Sequence, residues 1–143
     1  MAAGIALVGV VWLIARLRPF GVEVRGGSMV PTLLPGDWAL AVAARRPSRG
    51  HVVVVEHPDR AGLEMVKRVI GVPGDLTPDG NILGPDEFWV EGDNPSRSTD
   101  SRQHGPVSRD HLKACVRLIY WPASRCAIVA RSPRASRSLP LRA

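Results

Sequence analysis

The sequence predicts a small, mostly β domain preceded by an apolar helix and followed by a basic tail. The 13 prolines and 14 glycines of the 143 residues break helices and favour short strands joined by turns. Four consecutive valines at 52–55 are typical of a buried strand. Apolar residues make up 45% of the chain, which is enough to build one core at a length that suits a single domain with extensions.

Three regions differ in composition. Residues 1–18 are predicted to form a membrane anchor helix, residues 19–122 a β-rich domain, and residues 123–143 a flexible basic tail. The tail holds five arginines and no acidic residue, so the rest of the chain is close to neutral despite a net charge of +6. The tail also lacks aromatic residues that would stack on bases, and we therefore expect no nucleic-acid partner.

Residues 1–15 contain no charged side chain, and Arg16 and Arg18 follow them. As a helix they span about 22 Å, against about 30 Å of hydrocarbon in a bilayer. One alternative is a cleaved signal peptide, but such a peptide carries its positive charge before the apolar run, and here the arginines follow it. A second alternative is a helix buried in a globular domain. We expect a single-pass anchor in a bacterial cell membrane. The two arginines favour a cytoplasmic location for the domain that follows, but they do not decide which side of the membrane it faces.

The body divides into short strands separated by Pro-Gly turns. The apolar and alternating runs predict strands at 21–25, 38–44, 51–56, 64–72, 88–91 and 112–121. A polar loop at 92–105 is long for a small domain, and such loops are often functional.

The two cysteines, Cys115 and Cys126, fit neither a disulfide framework nor a zinc pattern. Cys115 falls in an apolar strand and is expected in the core, while a bridge to Cys126 needs an oxidising compartment. We expect no metal and no cofactor.

Two residues carry the chemistry that the sequence suggests. Ser28 follows two glycines on a predicted turn, and Lys67 lies in an apolar strand. Ser-Lys catalysis needs an accessible hydroxyl and an amine desolvated enough to be neutral. Taken singly, Ser28 could be an ordinary turn residue and Lys67 a lysine that reaches solvent. Four histidines also leave a Ser-His-Asp triad open.

Four stretches together resemble the type I signal peptidase family of Ser-Lys proteases. They are GGSMVPTLLPGD (26–37), RGHVVVV (49–55), VKRVIGVPGD (66–75) and EGDNPSRSTDSRQHGPV (91–107). The resemblance implies that Ser28 is the nucleophile and Lys67 the general base. It further implies that Ser98 orients the lysine and that Asp100 and Arg102 form a buried supporting pair.

The sequence departs from the family pattern at two residues. Gly26 stands where many members have a hydroxyl residue that binds the oxyanion, so the backbone N–H of Ser28 is expected to carry more of that task. His51 replaces a usual acidic residue. Only 24 residues separate Lys67 from Gly92, so the large β insertion of some members is absent.

The short length and the run at 89–107 also resemble actinobacterial proteases that mature nickel-type superoxide dismutase. The expected function is a serine endopeptidase that removes a leader or signal peptide, with a precursor protein and membrane lipid as partners. One alternative is a non-catalytic, membrane-anchored β module that binds a partner. Another is a self-cleaving regulator, which would need a DNA-binding domain before Ser28.

Overall fold

A computed structural model of the chain describes residues 2–43 and 46–132. Within these ranges eight strands form one antiparallel sheet, preceded by a helix α1 at Ala2–Leu17. A second, one-turn helix, α2, lies at Ser101–His104. The strands are β1 Phe20–Glu23, β2 Trp38–Ala43, β3 Val52–Glu56, β4 Glu64–Gly71, β5 Glu87–Glu91, β6 Val107–Ser108, β7 Leu112–Trp121 and β8 Ala127–Ile128.

The sheet follows the order β1-β2-β7-β3-β4-β5-β6, and β8 adds to the free edge of β7 beyond the end of β3. Register shifts interrupt the pairing of β2 with β7, β3 with β7 and β4 with β5. Such bulges bend strands and increase their twist, which curls a sheet on itself. The curl lets distant strands flank one cleft.

Both faces of the central strand β3 are buried, which explains its unbroken run of valines. Val52 and Val54 pack in one apolar cluster with Met29 and Leu33, while Val53 and Val55 pack in a second cluster. Successive side chains of a strand point to opposite faces, so four valines in a row serve two cores.

The sequence located six strands close to their observed bounds. The two-residue strands β6 and β8 and the one-turn helix α2 were not predicted, because elements this short carry no hydrophobic period. α2 begins at an Asp100 capping box, a local signal inside the polar loop.

Helix α1 confirms the expected helix at the amino terminus. It is 16 residues long, and its large apolar side chains from Ile5 to Leu17 are exposed. The Arg16 guanidinium lies 5.1 Å from the ring centroid of Trp12. Over the described ranges, α1 and α2 both fall short of the length and apolar character that a membrane span requires.

The predicted flexible tail is wrong for its first ten residues. Residues 123–132, hereafter the C-terminal strap, pair with β7 through β8 and place Val129 against the core. Arg125 forms an ion pair with Asp37, so at least one tail arginine is structural rather than solvated. Residues 133–143 of the predicted tail lie outside the described residues.

Both cysteines are free thiols, so the bridge considered from the sequence is not formed. Cys115 is buried in the second cluster, as expected, and burial raises the pKa of its thiol. Cys126 is exposed in the strap.

Candidate active site

Ser28 lies on the turn between β1 and β2. The turn is fixed by its apolar residues, since Met29 and Leu33 are fully buried and Leu33 N–H donates to Met29 O at 3.0 Å. Gly26 has a φ of +76°, a conformation that disfavours side chains. Ser28 itself is half-buried, so its hydroxyl stands on a rigid turn that solvent and ligands can reach.

The backbone N–H of Ser28 is the group expected to bind an oxyanion. None of the hydrogen bonds in the described part of the chain uses this N–H as a donor. A Cβ added to Gly26 would meet no atom within 4 Å, so the Gly26 position is open space beside the turn. This geometry is compatible with an oxyanion hole built mainly on backbone.

Lys67 lies on β4 and is 4% exposed. Val53 is its direct partner on β3, and both Val53 and Val69 are fully buried. Burial lowers the pKa of the Lys67 amine, the Asp100 carboxylate opposes this, and the Arg102 guanidinium lowers it further. The net shift is downward, towards the neutral amine that a general base requires.

The amine of Lys67 is held by a chain of polar groups. Its Nζ donates to Ser98 Oγ at 3.1 Å, and Ser98 Oγ donates to Asp100 Oδ2 at 2.5 Å. The guanidinium of Arg102 binds the same carboxylate through two bonds of 2.8 and 2.6 Å. The structure therefore brings together these four of the residues that the sequence singled out.

Asp100 is fully buried and Gly92 N–H also donates to it at 2.8 Å. Burial raises the pKa of Asp100, but its hydrogen bonds from Arg102, Gly92 and Ser98 outweigh this and lower it to about 2. The expectation of a buried pair holds for the carboxylate only, because the Arg102 side chain is 30% exposed.

Ser28 and Lys67 line one cleft of about 360 Å³ between β1 and β4. Its lining is mixed, with apolar and polar or charged side chains in similar proportion. The remaining lining residues are Val22, Glu23, Arg25, Val54, Glu64, Met65 and Val66.

Sequence reasoning missed two residues that hold the cleft together. Asn94 N–H donates to Ser28 O at 2.8 Å, and its side-chain amide donates to Gly27 O at 3.2 Å. A Cβ on Gly92 would collide with the Ser98 side chain and lie 2.7 Å from Ser28 O. These contacts involve backbone atoms, so the only sequence signal was the Gly-Asp-Asn-Pro run of the polar loop.

The histidines do not build the alternative triad in the described residues. His51 contacts Ser48 and Arg131, and the rings of His57 and His104 lie 5.3 Å apart. No hydrogen bond joins a described histidine ring to Ser28. The Nδ1 atom of His111 is buried and has no hydrogen-bond partner among the described residues.

The structure thus places Ser28 and the buried Lys67, the two residues that the sequence singled out for chemistry, in one cleft of a curled antiparallel β domain. The sequence profile of the family described as "Signal peptidase, peptidase S26" matches residues 1–78 and 76–121. The chain belongs to this family of peptidases.

Relatives of the chain include subunits of a mitochondrial protease. This chain is 31% identical over 121 residues to mitochondrial inner membrane protease subunit 1 of Xenopus tropicalis, and the match covers 76% of this chain and 72% of the relative. For the Homo sapiens subunit 1 the identity is 32% over 130 residues, with 78% and 75% covered. For the Schizosaccharomyces pombe subunit 1 it is 34% over 134 residues, with 82% and 85% covered.

Proposed function

We propose that the protein is a serine endopeptidase that removes an amino-terminal leader from a precursor protein, with Ser28 as nucleophile and Lys67 as general base. The observation that carries this proposal is that both side chains line one cleft, where burial lowers the pKa of the lysine. A peptidase of this family acts on a preprotein, and the leader is the part that an extended cleft would receive.

In the proposed reaction, Ser28 Oγ attacks the scissile carbonyl carbon while Lys67 Nζ accepts the hydroxyl proton. The N–H of Ser28 stabilises the negative charge that develops on the carbonyl oxygen. The protonated lysine then gives its proton to the leaving amine, and an acyl-enzyme remains. Water that has lost a proton to Lys67 hydrolyses the ester and restores both residues.

Ser98, Asp100 and Arg102 are proposed to support the base rather than to react. The Asp100 carboxylate is ionised above about pH 2, so it can only accept hydrogen bonds. Ser98 therefore donates its single hydroxyl proton to Asp100. Ser98 then accepts from Lys67, which leaves the lone pair of the neutral amine free to take a proton.

The cleft suggests which side chains precede the cut. Val22, Val54, Met65 and Val66 offer an apolar wall of limited volume, which favours small apolar side chains in the leader. A charged side chain would place its charge against this wall without a partner.

We further propose that α1 attaches the enzyme to a membrane. Within the described part of the chain no other element covers the exposed apolar side chains of α1, and lipid would cover them. Relatives of this chain are named inner membrane proteases. At 16 residues α1 is about 24 Å long, so single-pass anchoring would require Phe20 and the flanking arginines to extend its reach.

Two classes of precursor are candidate substrates. Arg16 and Arg18 favour a cytoplasmic domain, which suits a nickel superoxide dismutase precursor better than a secreted one. The similarity of residues 89–107 to the corresponding maturation proteases supports the same choice. General processing of signal peptides is the second candidate, and it needs the domain on the other side of the membrane.

The test is mass spectrometry of the two precursors, a nickel superoxide dismutase with its leader and a secretory preprotein, after co-expression with each enzyme variant. Wild type should trim one precursor. The control variant Lys113→Ala should trim the same precursor, because it removes an exposed lysine that is paired with Glu56. Ser28→Ala and Lys67→Ala should trim neither. Equal trimming by Lys67→Ala and Lys113→Ala would exclude the dyad. A cellular activity that survives Ser28→Ala would favour the non-catalytic binding module.

A further inference from the structure

The C-terminal strap contacts the turn that carries Ser28, although the two are far apart in the chain. At the first contact, Arg125 Nε and Nη2 bind the two Asp37 carboxylate oxygens at 2.7 and 2.9 Å. The Asp37 side chain is 2% exposed and the Arg125 side chain 31% exposed. A two-bond arginine–carboxylate pair fixes orientation as well as distance, so the strap holds Asp37 in one position.

Asp37 closes the base of the Ser28 turn. Its backbone O accepts from Val24 N–H at 2.8 Å, and its Oδ2 accepts from Leu34 N–H at 2.9 Å. Gly36 N–H donates to Val24 O at 2.9 Å, which completes the closure. Whatever fixes the Asp37 carboxylate therefore fixes both ends of the segment on which Ser28 lies.

The second contact passes through Arg68, the neighbour of Lys67 on β4. Arg68 is 3% exposed, and its guanidinium donates to Thr32 Oγ1 at 3.2 Å and to Ala130 O of the strap at 3.2 Å. It also binds both Asp93 oxygens at 2.8 and 2.7 Å and Gly50 O at 2.7 Å. These five acceptors match the five N–H donors of an arginine.

The strap thus touches the nucleophile's turn and the lysine's strand at once. We propose that Arg125 is a positioning residue, which acts through Asp37 to hold the Ser28 turn at its working distance from Lys67. This inference rests on the proposed endopeptidase function. An error of about 1 Å in the placement of a reacting group can lower a rate by about 100-fold, so a clamp outside the cleft can control turnover.

The test is steady-state kinetics on the full-length protein with a peptide that spans the cleaved leader junction. Arg125→Ala should lower kcat per folded molecule by about 10- to 100-fold with KM within about two-fold of wild type. Arg125→Lys should recover part of kcat, because an ammonium keeps the charge without the paired geometry. The matched control is Arg109→Ala, which removes an arginine paired with Asp86 away from the cleft.

A purely structural role would lower the unfolding temperature and leave kcat per folded molecule unchanged, and that result would overturn the proposal. Arg125→Ala leaves the buried Asp37 carboxylate without its partner, and this variant could fail to fold for that reason alone. In that case the double variant Asp37→Asn/Arg125→Ala is used, because it also removes the buried charge. A folded double variant with wild-type kcat would also overturn the proposal, and a low kcat would support it.

Ser28→Ala and Lys67→Ala in the same assay separate this proposal from the proposed function. If either variant retains wild-type turnover, the dyad itself is wrong. If both are inactive while Arg125→Ala matches Arg109→Ala, only the positioning role of Arg125 is wrong.

Discussion

Lys67 Nζ donates a 3.1 Å hydrogen bond to Ser98 Oγ, and this bond sets the direction of the amine. Because the Ser98 hydroxyl donates its proton to Asp100, it can only accept a hydrogen bond from Lys67. The lysine amine is therefore held by one of its N–H groups, and in the proposed reaction its lone pair stays available for the Ser28 hydroxyl proton. A buried lysine placed this way can act as a base without a histidine.

Removing the Ser98 hydroxyl tests this orientation. We expect Ser98→Ala to lower kcat by about 10- to 100-fold, because the amine loses its acceptor and samples other rotamers, with KM little changed. Ser108→Ala, which removes a hydroxyl that caps a remote 3₁₀ turn, should keep wild-type kcat. Equal kcat values for the two variants would show that Ser98 does not orient the base.

The dependence of kcat/KM on pH tests the protonation state of Lys67. The amine must be neutral to accept the Ser28 proton, so activity should rise with pH through the pKa of Lys67. Burial lowers that pKa, so the rise should lie below the ordinary lysine value of about 10.4. Lys113→Ala should leave the profile unchanged. A rise centred near 10.4 would contradict a desolvated base.

The Asp100 carboxylate should contribute to stability at neutral pH. Its pKa falls from the ordinary 3.8 to about 2 on folding, so the unfolded chain binds its proton first as the pH drops. The contribution, on the order of 2 kcal/mol, is present above pH 4 and lost towards pH 2. Chemical unfolding between pH 2 and 6 should show a smaller loss of stability in Asp100→Asn than in wild type. Parallel curves would refute this.

Gly92 should not tolerate a methyl group. A Cβ there would collide with Ser98 and press on Ser28 O, so Gly92→Ala should separate the two halves of the site and lower kcat by more than about 10-fold. Gly84→Ala is the matched control, because the three atoms nearest to its Cβ all belong to the flexible side chain of Glu87. Turnover by Gly92→Ala at the level of Gly84→Ala would show that the loop adapts.

The sequence predicted the parts of the fold that depend on local pattern. The valine run of β3 and the Pro-Gly turns located the main strands, and the motif around Ser28 located the candidate nucleophile. The strap was missed because its arginines and small residues are typical of solvated tails. Its partner Asp37 lies 88 positions away, and only the folded sheet brings the pair together.

The residues of the candidate site also divide into those that the sequence identified and those that it missed. Lys67, Ser98, Asp100 and Arg102 were identified from side-chain types within motifs, and the structure joins them in one hydrogen-bonded chain. Asn94 was missed because its main contact with Ser28 runs between backbone atoms, which side-chain chemistry does not reveal.

The most direct test of the central claim is intact-mass and peptide mapping of enzyme quenched within milliseconds of mixing with an acylating leader-peptide ester. The Ser-Lys account predicts one acyl group on the peptide that contains Ser28 in wild type and in Lys113→Ala, and none in Lys67→Ala. An acyl group on another residue, or equal labelling of Ser28 in Lys67→Ala and Lys113→Ala, would contradict it.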